Sequence, residues 1–342
     1  MHYYCSYITA DKKDEWENLI KNHFASGFHQ SFAWAKFQQS QGWDSYKIGL
    51  FDSQNDRLVG GAVILEFCFS NGTNFLYIPE GPALNYKNED ELFWQWKALS
   101  TAINSIVKID KNEKTTHIRI EPRIEDCPKW FLHQFEKAPI NLQPKYTQVV
   151  SLQDSEEDIL AQMKQKCRYN INLAKRKNVA IREIKKISNT DLDKFYVLYD
   201  QTRKRNHFEG KEKDFFDSHM KICRNFSKMF VAELGDEVLA SMIIVYFGNR
   251  ATYLYGASSD ASKEYMAPYA LHWHIMQEAK RDNYKEYDLW GINHTPDDEK
   301  HPWYGITRFK KQFGGHQVNL IGAYDYIIQK ELYADFLKKH EA

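Results

Sequence analysis

The feature that most constrains the fold is an order of predicted elements that occurs twice along the chain. Residues 45–84 contain three apolar stretches, YKIGLF, LVGGAVILEF and NFLYI, separated by the turn-forming residues DSQND and SNGT. This pattern predicts a meander of three strands, and it is followed by a predicted helix and the strand THIRIEP. Residues 229–260 repeat the order with FVAEL, VLASMIIVYF and ATYLYGA, again followed by a helix and a strand, EYDLWGI. The chain therefore contains the order β-β-β-α-β twice.

This repeat is the core order of the acyltransferase fold named after the GCN5-related N-acetyltransferases. We predict fold class α+β (mixed α/β), with two tandem acyltransferase-like domains, each a mixed, largely antiparallel sheet flanked by helices. Ser155 and Asp158 have the spacing of a capping box and begin a helix, which places the boundary near residue 150. The predicted domains are 1–150 and 151–315, and the last helix, within 316–342, is expected to complete the first domain.

The composition excludes several classes of protein. Lys plus Arg and Asp plus Glu both number 46 in the 342 residues, which argues against a protein that coats nucleic acid through bulk charge. The N-terminal residues lack the pattern of a signal peptide, and no apolar run reaches the roughly 18 residues of a membrane span. The five cysteines have no CxxC spacing, so neither a metal site nor a disulfide framework is predicted. We expect a cytoplasmic location.

Several common motifs can be set aside. Lys310 and Lys311 precede Gly314 and Gly315, whereas a phosphate-binding P-loop places its lysine after the glycines. No GxGxxG, HExxH or GxSxG is present, so the sequence predicts neither a metal nor another cofactor. Acetyl-CoA remains an alternative acyl donor, but the segments before the two central helices, PALNYKNEDE and SSDASKEYMAPYA, lack the glycine-rich turn that binds its pyrophosphate.

Segments spread over most of the chain resemble those of a known family. They are QSFAWAKFQQSQGW (30–43), YIPEGPAL (77–84), IRIEP (118–122), MKQKCRYNINLAKRKNV (163–179), TRKRNHF (202–208), YLYGASS (253–259), APYALHWHIMQEAKRDNYKEYDLWGI (267–292) and RFKKQFGG (308–315). The chain resembles the Fem aminoacyltransferases, which add bridge amino acids to peptidoglycan precursors. No heptad hairpin is visible, so the resemblance is to the armless form of the family.

The resemblance implies two substrates. The donor would be a small amino acid, such as Gly, Ala or Ser, carried on an aminoacyl-tRNA. The acceptor would be UDP-MurNAc-pentapeptide or its lipid-linked form, and the attacking group would be the side-chain amine of the third residue of the peptide. Peripheral association with the membrane and a monomeric state are expected.

The resemblance also assigns two catalytic residues. Lys310 lies at the active-site lysine of the family's FK motif, where it would stabilise the oxyanion or the departing ribose oxygen. Glu121 matches the carboxylate of an Asp-Pro motif, where it would orient or deprotonate the incoming amine. The glutamate is one methylene longer than the family's aspartate, and an ordinary acid at the end of a strand is the alternative.

Three further positions are assigned to substrate binding by the same resemblance. Lys36 and Arg205 match residues that bind the UDP diphosphate, and an ammonium and a guanidinium suit that anion. Arg203 or Lys204 is an alternative to Arg205 in the same basic segment. Tyr255, at the end of a predicted strand, would meet substrate with its phenol, although packing in the core is the more common fate of such a residue.

A basic stretch is the predicted contact for tRNA. Residues 164–186 carry nine basic side chains and the single acid Glu183, and lysines and arginines in such a run bind phosphates in a salt-dependent way. The predicted tRNA-binding residues are Lys164, Lys166, Arg168, Lys175, Arg176 and Lys177. A solvated helix face is the alternative reading of the stretch. At the level of function, a different amine acceptor, an acyl-CoA N-acyltransferase and a non-catalytic binding protein also remain open.

Overall fold

The computed structural model describes residues 3–109, 114–295 and 297–340. It divides into two compact units. The first comprises the residues up to Lys145 together with those from Asn319 onward, and the second comprises Tyr146–Val318.

The repeat predicted from the sequence is present in both units. The elements before the boundary are β1 (Tyr3–Tyr7), α1 (Lys13–Asn22), α2 (Phe32–Ser40), β2 (Asp44–Asp52), β3 (Arg57–Cys68), β4 (Asn74–Pro79), α3 (Glu89–Ile109), β5 (Thr115–Glu121), α4 (Phe131–Gln134) and β6 (Glu136–Lys137). Those of the second unit are β7 (Tyr146–Ser151), α5 (Glu156–Gln162), α6 (Gln165–Arg176), β8 (Ala180–Glu183), α7 (Asn189–Asn206), α8 (Lys213–Ile222), β9 (Ser227–Leu234), β10 (Glu237–Phe247), β11 (Arg250–Ser258), α9 (Ala267–Arg281), β12 (Glu286–Gly291), α10 (Tyr304–Lys310) and β13 (His316–Asn319). The chain then continues with β14 (Tyr324–Ile327) and α11 (Lys330–His340).

Each unit is built on a mixed sheet, which confirms the predicted fold class. The strand order is β1-β2-β3-β4-β5-β14-β6 in the first unit and β13-β7-β12-β11-β10-β9-β8 in the second. The two strands joined by the central helix are parallel in each sheet, β4 with β5 and β11 with β12, because a crossover helix returns the chain in the same direction. The meander strands before each crossover pair antiparallel.

The boundary between the units differs from the prediction by a few residues on each side. Residues 146–150 were expected in the first domain, but they form most of β7, which pairs with β12 of the second sheet. Residues 316–318 were also expected in the first domain, and they lie in β13, which neighbours β7. Strand pairing decides the membership of both segments, and it is not visible in local periodicity.

The residues from Asn319 onward complete the first unit. β14 lies between β5 and β6 in the sheet. The buried Arg119 of β5 donates two hydrogen bonds of 2.7 Å to Asp325 of β14, and Tyr333 of α11 donates to the same carboxylate at 2.9 Å. A buried bidentate pair of this kind fixes both the position and the register of the strand that carries it.

Helix ends follow the capping chemistry read from the sequence. Ser155 caps α5 by accepting a hydrogen bond of 3.1 Å from the backbone N–H of Asp158, as the sequence predicts. Ser188 and Asp191 form a complete capping box at the start of α7. Within the described part of the chain, no helix has the length and apolar character needed to cross a membrane.

Candidate active site

A wedge opens in the second sheet between its two parallel strands. β11 and β12 stay paired only as far as Thr252 and Asp288. Beyond that point β11 remains with β10, whereas β12 follows β7 to Gly291. In the first unit, by contrast, β4 and β5 stay paired to their ends at Pro79 and Glu121. The second sheet therefore has an open edge between central strands, where backbone groups can meet other partners.

The side chain of Lys310 fills part of this wedge. Lys310 is the last residue of α10 and is 6% exposed. Its Nζ donates a hydrogen bond of 2.7 Å to the carbonyl oxygen of Gly291. Trp290, with φ of 66°, lies at an irregularity in the pairing of β12 with β7, and this left-handed backbone turns the chain just before the carbonyl that Lys310 contacts.

Burial changes the acid–base behaviour of Lys310. Loss of hydration lowers the pKa of its ammonium from 10.5 to about 7, and the negative charge of Asp288 acts in the opposite direction. A lysine with this pKa can hold a positive charge or release a proton near neutral pH. The sequence assignment of Lys310 thus coincides with an unusual electrostatic environment, which is common at catalytic positions.

The wall behind Lys310 is aromatic and uncharged. The fully buried His272 makes a hydrogen bond of 2.8 Å between its Nδ1 and the hydroxyl of Tyr287, and its ring meets Tyr253 edge-on at 4.6 Å. Burial, with a smaller contribution from Lys310, lowers the pKa of His272 to about 3. Lys310 is therefore the basic group of this wall that can be charged at neutral pH.

A pocket of about 340 Å³ lies beside the wedge in the second unit. Tyr253, Tyr269 and Phe309 contribute aromatic walls, and Arg205 and Lys263 contribute positive charge. Such a combination suits a ligand that has both a flat apolar part and an anionic part.

Arg205 is fixed at the rim of this pocket. Its Nη1 donates to the Ser258 carbonyl at 3.1 Å and to Asp260 at 3.0 Å. The two alternatives named from the sequence point elsewhere, because Arg203 and Lys204 both pair with Asp200. Of the three basic residues, Arg205 is the one that lines the pocket.

Tyr255 does not share this wall. Its ring packs against Phe215 and Phe216 at 5.9 and 5.2 Å in the cluster beneath α7 and α8, and burial raises the pKa of its phenol. A bulge explains the placement, since Ile243 pairs with Tyr255 and Ile244 pairs with Tyr253, which leaves Leu254 as an extra residue. The bulge sends the two tyrosines to different clusters.

Tyr253 is therefore the residue that sequence reasoning missed. Its ring centroid lies 5.7 Å from the Lys310 Nζ, and burial raises the pKa of its phenol to about 12. The ring lies so close to Gly256 that a Cβ at that position would come within 1.9 Å of the Tyr253 hydroxyl. The glycine two residues after a Tyr-x-Tyr segment was the available signal, since it marks a close approach of side chain to backbone.

Glu121 lies in the first unit at the end of β5 and is 5% exposed. Its Oε1 accepts a hydrogen bond of 2.7 Å from the Leu142 N–H. Its Oε2 accepts from the Gln143 N–H at 3.0 Å and from the hydroxyl of Tyr77. Burial nevertheless dominates and raises the pKa of Glu121 to about 7. The carboxyl group is held in a fixed orientation and titrates near neutral pH.

Lys36 is exposed on α2 of the first unit. A buried ionic cluster that the sequence did not reveal lies in the same unit. Glu80 accepts hydrogen bonds from His29 Nδ1 at 2.7 Å and from Arg123 Nη1 at 3.0 Å, and each of these three residues is less than a tenth exposed. Their separation along the chain hides the cluster from any local pattern.

The predicted tRNA-binding residues fall into two groups. Lys164, Lys166, Lys175 and Arg176 are exposed in and beside α6. Arg168 instead donates to the Met163 carbonyl at the end of α5, and Lys177 lies over the Tyr265 ring and pairs with Glu264 at 3.6 Å. Tyr169, which the sequence analysis did not single out, is 57% exposed beside Arg176 and adds an aromatic surface to the basic one.

Comparison with known proteins gives consistent matches along the chain. The FemAB family model matches residues 12–128, 129–235 and 224–338. The chain is 21% identical over 396 aligned residues to the Lipid II:glycine glycyltransferase of Staphylococcus haemolyticus (strain JCSC1435), covering 93% of the chain and 92% of the relative. It is 22% identical over 390 residues to the enzyme of the same name from Staphylococcus saprophyticus, with coverage of 92% and 91%.

Solved structures show the same fold. A crystal structure of FemX superimposes with a TM-score of 0.83 at 18% identity and covers 100% of both chains. A tandem GNAT protein from the clavulanic acid biosynthesis pathway matches with a TM-score of 0.54 at 8% identity, covering 95% of this chain and 97% of that one.

Proposed function

The chain belongs to the FemAB family, and from that premise we propose that it is a peptidoglycan-bridge aminoacyltransferase. In this proposal an amino acid moves from aminoacyl-tRNA to the side-chain amine of a peptidoglycan precursor pentapeptide. The names of the staphylococcal relatives, which are Lipid II:glycine glycyltransferases, favour a small donor amino acid and a lipid-linked acceptor. Both substrates would be met on the cytoplasmic side of the membrane by a monomeric, peripherally associated enzyme.

The observation that carries the proposal is the buried Lys310 in the open wedge of the second sheet. The amine of the acceptor forms a C–N bond to the ester carbonyl, and the C–O bond to the tRNA ribose breaks. Negative charge develops first on the carbonyl oxygen and then on the departing ribose oxygen. An ammonium with a pKa of about 7 can stabilise the oxyanion and can also protonate the ribose oxygen as it leaves.

Glu121 is proposed to receive the proton that the attacking amine loses. Its pKa of about 7 makes the carboxylate a stronger base than an exposed glutamate, while its three protein donors keep it oriented. Each carboxylate oxygen can accept about two hydrogen bonds, and Oε1 receives one from the Leu142 N–H, which leaves it capacity for an amine. Under this proposal the first unit binds the acceptor, and the second unit holds the tRNA ester and Lys310.

The remaining predicted residues keep proposed binding roles. Lys36 and Arg205 would contact the diphosphate of the precursor, as the family resemblance implies. The pocket beside Lys310 would take the acylated 3′ end of the tRNA, since its aromatic walls suit a nucleobase and its cations suit a phosphate. The exposed lysines in and beside α6, with Arg176, would follow the phosphates of the acceptor arm.

An acyl-CoA N-acyltransferase is the main rival, because the fold is shared with tandem GNAT proteins. One observation opposes it in the second unit. α9 begins with Ala267 and Pro268 after the left-handed Met266, and proline has no N–H to donate to a pyrophosphate. A transferase with another amine acceptor and a non-catalytic binding protein are separated from the proposal by the same assay.

The decisive experiment is a mass-spectrometric transfer assay. The protein is incubated with a mixture of charged tRNAs and either UDP-MurNAc-pentapeptide or its lipid-linked form, beside an acetyl-CoA control. We expect a mass gain of one amino-acid residue on an acceptor, loss of that gain in Lys310→Met, and near-normal transfer in the matched variant Lys311→Met. Acetylation with CoA and no transfer from tRNA would overturn the proposal.

A further inference from the structure

Large apolar side chains are exposed together at one end of the first unit. Phe24, Phe93, Trp94 and Leu132 are 46%, 41%, 43% and 66% exposed. The rings of Phe93 and Trp94 lie 5.4 Å apart, and Phe93 meets Trp130 at 6.3 Å. Single exposed apolar residues are ordinary, whereas a connected group indicates an interaction surface.

Ring contacts extend the group to Phe24. Trp130 meets Phe131, the residue before Leu132, at 4.8 Å. Phe131 in turn meets Tyr86 at 6.1 Å, and Tyr86 meets Phe24 at 6.4 Å. We call the exposed members of this connected set, Phe24, Phe93, Trp94 and Leu132, the aromatic end of the first unit.

Lysines lie over two of the exposed rings. The Nζ of Lys97 is 4.9 Å from the centroid of Trp94, and that of Lys87 is 4.8 Å from the centroid of Phe24. Both lysines are exposed. A ring with an ammonium beside it is suited to a membrane interface, where the ring enters the acyl boundary and the long lysine chain reaches the phosphates.

Acidic residues at the start of α3 limit the net charge of this surface. Glu89 accepts a hydrogen bond from the Lys129 N–H, and Glu91 accepts from Tyr3 and Asn85, but Glu89 and Asp90 are exposed. Attraction to anionic lipid is therefore partly cancelled. Burial of the aromatic rings would supply most of the binding, so the binding should depend only weakly on salt.

The aromatic end lies at the same end of the sheet as Glu121. The parallel strands β4 and β5 finish side by side, with Pro79 opposite Glu121. The chain enters α3 soon after β4 ends, so the first turns of α3 lie at that end as well. The hydrogen bond between Lys129 and Glu89 ties the segment after β5 to the start of the helix. A surface bound to a membrane here would place the first unit's candidate catalytic carboxylate near lipid-anchored molecules.

We propose that the aromatic end docks on the interface of a phospholipid membrane. The inference rests on the proposed function, because an acceptor anchored in lipid requires the enzyme to work at the membrane surface. A protein partner or a second copy of this chain would also cover apolar rings. The lysine over each of two exposed rings favours the lipid interface, since both ammonium groups remain able to reach headgroup phosphates.

The test is flotation of the whole protein with vesicles of phosphatidylcholine, with and without phosphatidylglycerol. The variant Phe93→Ser/Trp94→Ser is compared with Val197→Ser, which removes an apolar side chain that is 56% exposed on α7. We expect the double variant to lose at least about tenfold in vesicle partitioning and the control to remain unchanged. Circular dichroism confirms that each variant is folded. Should the double variant not fold, quenching by brominated lipid, compared between the wild type and Trp94→Phe, tests the same contact.

Transfer assays separate this inference from the proposed function. On UDP-MurNAc-pentapeptide the double variant should keep wild-type activity, and on a lipid-linked acceptor in vesicles it should lose about tenfold, as its partitioning does. A wild type that transfers to neither acceptor contradicts the proposed function, while the flotation result still decides the docking surface. Unchanged flotation of the double variant overturns the inference. A wild-type dimer that becomes a monomer in the double variant, without vesicle binding by either, also overturns it and assigns the surface to self-association.

Discussion

Replacing Lys310 with methionine should stabilise the protein at neutral pH while removing its activity. In the unfolded chain the pKa of Lys310 is that of an ordinary lysine, 10.5, and in the folded chain burial lowers the pKa to about 7. Between these values the unfolded state binds the proton and the folded state does not, so the free energy of unfolding increases with pH. Below about pH 7 both states hold the proton, and the full penalty of burying the charge is present.

The size of the effect follows from the two pKa values. Their separation of about 3.5, at roughly 1.4 kcal/mol for each pH unit, gives about 5 kcal/mol of destabilisation in the wild type. The variant also leaves the Gly291 carbonyl without the Lys310 donor, at a cost of about 1–3 kcal/mol. Lys310→Met should therefore be more stable by about 2–4 kcal/mol at pH 7, which corresponds to roughly 5–15 °C in Tm for a unit of this size.

The assay is urea unfolding of the wild type, Lys310→Met and Lys311→Met between about pH 7 and 10.5. Raising the pH removes the charge penalty from the wild type but does not restore the lost hydrogen bond in the variant. The difference in the free energy of unfolding should therefore shrink and then reverse its sign near pH 10, while Lys311→Met follows the wild type. A Lys310→Met protein that is less stable at pH 7, or a difference that does not change with pH, would refute the reasoning.

Three further predictions follow from the described contacts. Because burial raises the pKa of Glu121 to about 7, a base role requires the rate to rise as pH increases through about 7; Glu121→Gln should lower kcat/KM by about 10²-fold or more and flatten that limb. A limb that persists in the variant excludes the role. Gly256→Ala places a Cβ 1.9 Å from the Tyr253 hydroxyl and should destabilise the protein by about 1–3 kcal/mol in urea unfolding, with much of the loss recovered by adding Tyr253→Ala; wild-type stability in the single variant contradicts this. Lys166→Glu and Lys175→Glu should each weaken tRNA binding and reduce the slope of log K against log salt by about 1, and an unchanged slope would remove these residues from the tRNA path.

The fold was predictable because its signals are local and repeated. Apolar alternation and short turn segments mark each meander, and helical spacing marks each crossover, so the order β-β-β-α-β could be read twice without knowledge of tertiary contacts. Lys310 could be assigned from its motif. Its burial and its bond to Gly291 could not, because they depend on where two parallel strands separate.

The errors in the site have physical causes of the same kind. Tyr255 was chosen over Tyr253 because alternation along a strand assumes regular pairing, and the extra residue Leu254 breaks that regularity. Arg168 was counted with the tRNA-binding residues because its charge is visible in the sequence, whereas the carbonyl of Met163 that it caps is not. The cluster centred on Glu80 joins distant segments and leaves no local pattern.

The position of β14 has a consequence for synthesis of the chain on the ribosome. β14 lies between β5 and β6, yet residues 324–327 are translated only after the whole of the second unit. The second unit, being continuous, can reach its native topology as soon as it has emerged, whereas the first must wait with a gap in its sheet until the Asp325 partner of Arg119 arrives. The exposed edge of β5 in this interval is a binding site for a chaperone or a target for mispairing. Nascent-chain proteolysis should accordingly find the later-made unit protected first, an inversion of the usual order in which domains mature.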